Sequence, residues 1–386
     1  MTEWRHAAVL SASAEPVTPA EPKPHRRLPR HRAYVVWAIA GTVLALTLLL
    51  LDVRASGHGI LRPIRAGAKG PSAAVIAKDF PKAALPDEVG LDGQQFYAIA
   101  RDPFHPEAVA PNLDDAQYRY QRPLYPALAW LLHPQGGGPG LVWALTIVSL
   151  FGLLVGALAM GALSRYLRAP PWLALLYPVL PGAVWTVTSS VADGLAVSLC
   201  LLTIVATLRG RSGLAVIAAT AAVLTRETTI LVPVALLLAR RRKEDLPLLV
   251  VPALVIAAWL MLVHVSVPSG GIPPERLWWP VTGLFDAART KWLHGKELLG
   301  MASTLSALVA GVFVLIRGWG PSELRWVIGV QMGFLAVCSG DVLGNDFGGT
   351  RSTLMLLALA VAVLMSGTRA PDPTYLASTG ARNRPV

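Results

Sequence analysis

Long apolar runs recur along this chain of 386 residues, and they constrain its fold more than any motif does. A hydrocarbon core of about 30 Å takes about 20 apolar residues to cross as a helix, and a backbone inside it must satisfy its own hydrogen bonds. Such runs predict helices near 34 to 52, 140 to 163, 172 to 189, 191 to 208, 246 to 267, 298 to 316, 324 to 339 and 351 to 366. Only 15% of residues are charged, against about a quarter in soluble domains. The expected fold class is all-α: a polytopic transmembrane bundle of about 8 to 11 membrane helices, some short or re-entrant.

The formal net charge of +11 does not point to nucleic acid, because the basic residues cluster beside apolar runs, as in RRLPRHR at 26 to 32 and RRRK at 240 to 243. Such flanks mark the cytoplasmic side. Residues 1 to 33 read as a disordered cytoplasmic tail, 34 to 366 as one membrane domain, and 367 to 386 as a second cytoplasmic tail. Residues 53 to 122 then form a large extracytoplasmic first loop. Its part from 53 to 86, rich in Gly, Pro, Ala and Lys, reads as a flexible or loosely folded approach. Cys200 and Cys338 both fall in apolar segments, so neither a disulfide framework nor a cysteine metal site is available.

For all basic flanks to share one side, the stretch 213 to 239 must enter and return, with its interruption at Thr225-Arg226-Glu227. Arms of about 12 residues rise only about 18 Å, too little for a full crossing. Arg226 and Glu227 are therefore expected in a protein-lined cavity below the outer membrane face. Either they serve a function there, as intramembrane charges generally do, or they neutralise each other at a helix turn.

Polar and aromatic residues concentrate outside. In LDGQQFYAIARDP, from 91 to 103, Asp92 precedes a short amphipathic helix, which makes it a candidate N-cap. YRYQRPLYPALAWLL, from 118 to 132, sets Arg119 and Arg122 among tyrosines before a short interfacial helix at 123 to 132. The two arginines either anchor the loop at the headgroups or clasp a phosphate in their planar forks. The loop 268 to 297 adds Arg276, Trp278, Trp279, Arg289, Lys291, Trp292, His294 and Lys296, positive charge suited to a lipid phosphate, an anionic polymer or anionic headgroups. DVLGNDFGGTR supplies Asp341, Asn345, Asp346 and Arg351, and its carboxylates could orient sugar hydroxyls or take a divalent cation, the one cofactor in view. No P-loop, GxSxG, HExxH or dinucleotide fingerprint occurs, and no metal-ligand cluster is decisive.

With LDGQQFYAIARDP and YRYQRPLYPALAWLL followed in order by VADGLAVSL and AVLTRETTILVP, the chain resembles the GT-C superfamily of membrane glycosyltransferases over roughly residues 85 to 240. More narrowly, it resembles a bacterial integral membrane family linked to cell-surface glycopolymer formation. The resemblance implies inverting transfer of a sugar from a polyprenyl-phosphate carrier to a glycan or lipid acceptor outside the membrane, with a first-loop carboxylate as base. That role falls on Asp92, with Asp102, Asp114 and Asp115 as the alternatives. Arg119, Arg122 and Arg226 would hold the departing phosphate. Gln94, Tyr97, Arg101, Asp102, Tyr118, Asp193, Glu227 and Asp346 would orient substrate or arginines, and Phe96 and Tyr120 could pack against a sugar face or the carrier's isoprenes. Two other classes compete: a transporter or flippase of a lipid-linked or anionic substrate, and a non-catalytic scaffold of envelope assembly.

Overall fold

The computed structural model describes residues 30–269, 278–295 and 297–367; the two tails, Arg276 and Lys296 lie outside them. Every regular element among the described residues is helical. Five helices are long and apolar enough to cross a membrane: Arg32–Ser56 within α1 (Arg30–Ser56), α7 (Pro139–Tyr166), Lys243–Ser266 around α13 (Pro247–Ser266), α15 (Leu298–Arg317) and α18 (Asp346–Ser366). The remaining predicted spans are shorter or broken. They are α8 (Leu173–Val179) with α9 (Pro181–Thr188), α10 (Asp193–Leu208), α11 (Ser212–Thr225) with α12 (Leu231–Arg240), and α16 (Ser322–Val337).

The expected single helix at 172 to 189 is in fact two. Leu180 is extended, with φ −58° and ψ 140°, because the ring of Pro181 clashes with a helical predecessor. The break at Arg226 occurs as expected: α11 ends there in extended backbone, a short 3-10 turn Glu227–Ile230 follows, and α12 leads away. Arg240, at the far end of α12, donates to the Thr207 carbonyl at 2.9 Å, beside the loop where α11 began. The hairpin therefore goes in and comes back. Arg165, near the end of α7, lies over the ring of Tyr34, near the start of α1, at 5.5 Å.

Residues 53 to 86 are folded, contrary to the loose approach expected from their composition. A 3-10 turn at Gly59–Ile64 and α2 (Ala73–Asp79) bury Leu61, Ile64, Ile76 and Phe80. These few apolar residues pack with Phe96 and Tyr97 of α3 (Asp92–Arg101) against Tyr125, Leu141 and Leu145. Burying a large apolar side chain contributes about 1.5–3 kcal/mol, so a sparse set of well-placed ones suffices to seat the loop. On its other side, α3 sets Ala98 and Ile99 against Val109, Leu113, Val263 and Val267. Between these two clusters α3 is buried from Gly93 to Ala100, which leaves Asp92 at its half-buried tip.

The first loop continues through α4 (Pro106–Val109) and α5 (Ala116–Tyr120) into α6 (Leu124–Leu132), the short helix expected at 123 to 132. After α13 comes α14 (Thr282–Thr290), whose neighbourhood exposes Trp279, Phe285 and Leu293 alongside Arg289. It packs on α17 (Gly340–Gly344), the turn before α18. Orientation follows a direct test. Asp87→Cys should react with an impermeant thiol reagent in intact cells and Arg241→Cys only after lysis; the opposite pattern would invert the topology.

Candidate functional site

Asp92 is the first residue of α3, and Leu91, not Asp92, occupies the N-cap position. Its carboxylate turns instead to arginines: Oδ1 lies 3.0 Å from Arg119 Nη1 and Oδ2 3.5 Å from Arg351 Nη1. Arg351 stands one turn into α18, stacked on the Phe347 ring, and its Nη1 also reaches Asp193 Oδ2 at 2.9 Å. Asp193 begins α10 and pairs with Arg226 from the tip of the hairpin as well. Thus three distant segments, around 92, 193 and 226, converge with 351.

A second knot lies alongside. Arg122 grips Glu227 with both arms of its guanidinium, at 3.1 and 3.0 Å, and bonds the Tyr118 hydroxyl. The Tyr118 ring lies under Arg122 at 4.5 Å and Arg119 at 5.4 Å. Arg119 also holds Asp114 bidentately, at 2.8 and 2.6 Å. Four guanidiniums and four carboxylates therefore interlock. Arg226 and Glu227 do not merely neutralise each other, since each has a partner from another segment. Arg226 Nε has no hydrogen-bond partner among the described residues, a spare buried donor.

Asp92, Arg122, Asp193, Arg226, Glu227 and Arg351 line a cavity of about 520 Å³. Phe334, Cys338, Val342 and Phe347 supply apolar surface to the same space. A volume within the range of about 300–1,000 Å³, lined by both charged and apolar side chains, suits a ligand that carries a charged group and a greasy one. Burial works against the charge on Asp92, yet the guanidiniums of Arg119, Arg351 and Arg122 overcome it and hold its carboxyl well below the usual carboxylate range. Asp92 is therefore ionised at any physiological pH.

The alternative carboxylates sit elsewhere. Asp114 is Arg119's second partner, Asp115 caps α5 by accepting from Tyr118 N, and Asp102 pairs with His105 at 2.6 Å at the surface. Of the first-loop carboxylates considered, Asp92 lines the cavity.

Several residues expected to orient substrate hold the scaffold. The Gln94 amide ties Gly67 N to the Val89 carbonyl. Tyr97, fully buried, donates to Asp79 at 2.7 Å and accepts from Gly138 N, while Arg101 grips the same Asp79 oxygen at 2.8 Å. Phe96 packs edge to face on Tyr125, and Tyr120 is buried against the 98–116 cluster. Asp346 accepts from Gly300 N at 2.7 Å, joining α18 to α15. None of these lines the cavity. Conversely, Arg351 enters the site from a motif read only for its carboxylates. An arginine at the first position of the apolar run 351 to 366 was the available signal.

A divalent cation would compete with arginines for the carboxylates here. Among the described residues no group of three or more His, Cys, Asp or Glu converges.

Gly93 fixes the tip of α3. A Cβ there would overlap the Ser189 carbonyl oxygen and come within 2.9 Å of the Ile64 carbonyl, both backbone atoms that cannot swing aside. Gly93→Ala should therefore push Asp92 off its arginines and abolish function, although it adds a single methyl. The measurement is complementation of a deletion strain with protein level controlled, and full activity of Gly93→Ala would show that the tip tolerates displacement.

No protein family, curated protein or solved structure matches this chain.

Proposed function

We propose that the protein is a membrane glycosyltransferase of GT-C type, multi-pass in the cell membrane with a cytoplasmic N-terminus. On this reading it moves a sugar from a polyprenyl-phosphate carrier to a glycan or lipid acceptor at an extracytoplasmic site. The observation that carries it is one cavity lined by Asp92, Arg122, Arg226 and Arg351 together with apolar side chains. Guanidiniums match phosphate oxygens, and the apolar surface suits the carrier's first isoprenes.

In the reaction, the acceptor hydroxyl oxygen bonds to the anomeric carbon as the bond from that carbon to the carrier phosphate breaks, inverting the centre. The hydroxyl proton passes to the Asp92 carboxylate, and the electron pair leaves with the phosphate onto the arginines. A carboxylate so strongly paired is a weak base in the empty site. An incoming phosphate competes for the same guanidiniums, loosens their hold on Asp92 and raises its proton affinity when it is needed.

The test is lipid and glycan profiling of a deletion strain. Accumulated polyprenyl-phosphate sugar with a truncated envelope glycan is expected. The hairpin with charges at its tip also suits a carrier that moves a lipid-linked anion across the membrane. That reading predicts sugar-lipid retained on the cytoplasmic leaflet, and an unchanged profile would leave a scaffold.

A further inference from the structure

A second cavity, of about 170 Å³, lies behind Asp92 and is lined by the folded first loop and Trp185. Its wall includes Gly90 and Leu91, the residues just before Asp92, whereas Asp92 itself faces the large cavity. An aromatic pair lies at the border of the two: Trp185 of the small cavity meets Phe347 of the large one edge to face, with ring centroids 5.7 Å apart. Asp92 therefore stands at the boundary of two spaces, where a transferase with two substrates would need it.

The small cavity carries its own polar set. Arg62 and Arg65 are held by Asp52 at 2.8 and 3.2 Å. Arg65 also donates Nε to the Thr188 carbonyl at 3.1 Å and lies over the Trp185 ring at 5.1 Å. Its φ of 48° is in the left-handed region that side chains rarely adopt, and these contacts hold it there. His58 and Glu88 stand exposed at the rim.

Arg62 and Arg65 are matched by two carboxylates, Asp52, which pairs with both, and Glu88 at the rim, so the charges of these four side chains cancel. An ion gains little from such a set. Hydroxyl groups, which both donate and accept, are served by Arg62, His58 and Glu88 together, and an indole offers the apolar edge that sugar rings present surfaces to. At 170 Å³ the space falls below the range of about 300–1,000 Å³ typical of drug-sized ligands, which favours a single ring over an extended glycan.

We propose that this small cavity is the subsite of the accepting sugar: one neutral, hydroxyl-rich ring held by His58, Arg62, Glu88 and Trp185, its reacting hydroxyl directed to Asp92 past Leu91. Naming it the acceptor rests on the transferase reading; the binding of a sugar ring does not.

The test uses the full chain in phosphatidylcholine nanodiscs, with the methyl glycosides of glucose, galactose and mannose as probes in ligand-observed saturation-transfer NMR. At least one glycoside should receive saturation. The double variant His58→Ala/Glu88→Gln, altered only at the exposed rim, should weaken its binding about tenfold, the loss expected from one or two hydrogen bonds. Asp341→Asn, exposed on the wall of the large cavity, should leave it within about twofold, as for independent sites. No saturation from any of the three probes, unchanged affinity in the rim variant, or loss in Asp341→Asn would each overturn the proposal. Saturation transfer in a protein whose deletion alters no glycan keeps the sugar site and removes the transferase. An altered glycan without saturation transfer does the reverse.

Discussion

Asp92→Asn is expected to cut sugar transfer by about 10² to 10⁴-fold, the usual contribution of a positioned general base, while the protein still folds and inserts. Asparagine keeps the shape and one acceptor oxygen but neither the charge nor the capacity to take a proton. Arg119 retains Asp114 and Arg351 retains Asp193, so no guanidinium is left without a carboxylate. Acidification has a defined sign as well. Because the folded carboxyl titrates below its unfolded value of about 3.9, its ion pairs stabilise the protein above that pH and are lost only as pH falls through the folded value. The free protein should therefore show no acid limb from Asp92 above about pH 4. Glycan profiling of a complemented deletion strain reads the result, and a full-length polymer made by Asp92→Asn would remove Asp92 from the chemistry.

The long apolar helices were legible because their signal is local: a run of apolar residues needs no knowledge of its neighbours. The hairpin was legible for a related reason, since Arg240 to Lys243 and Arg226 could not both be placed sensibly on one straight helix. Asp92, Arg119, Arg122, Asp193, Arg226 and Glu227 could be nominated as charges in unusual places, and they do meet. What sequence could not supply was the pairing. Arg122 finds Glu227 across 105 residues, and Arg351 finds Asp92 across 259.

Aromatic and polar density misled in the other direction. Tyr97, Gln94 and Arg101 lie within three turns of Asp92, but a helix buried on both sides sends them into loop and turn contacts. Proximity in sequence to a catalytic candidate is compatible with either role, and only the direction of the side chain separates them. The loop from 53 to 86 was obscured by composition: Gly and Pro suggested slackness, whereas Leu61, Ile64, Ile76 and Phe80 pin it down. Of those anchors, Leu61 also lines the second cavity.

Asp193→Ala should produce the largest loss of stability in the site, about 3–5 kcal/mol, the cost of breaking a buried ion pair and stranding its partner. The Asp193 side chain is only 4% exposed and serves both Arg226 and Arg351. Its removal leaves Arg226, which already has an unbonded Nε, without the carboxylate it meets. Asp102→Asn offers the contrast, because its pair with His105 lies at the surface, where such contacts contribute about 0–1 kcal/mol. The double replacement Asp193→Leu/Arg226→Met should recover much of the lost stability, since apolar residues of similar volume commonly substitute for a buried pair without loss. It should not recover function if Arg226 is needed for phosphate. Thermal unfolding in detergent compares the three variants. Equal midpoints for Asp193→Ala and Asp102→Asn would mean that water reaches Asp193, and the dry, preorganised character of the arginine cluster would have to be abandoned.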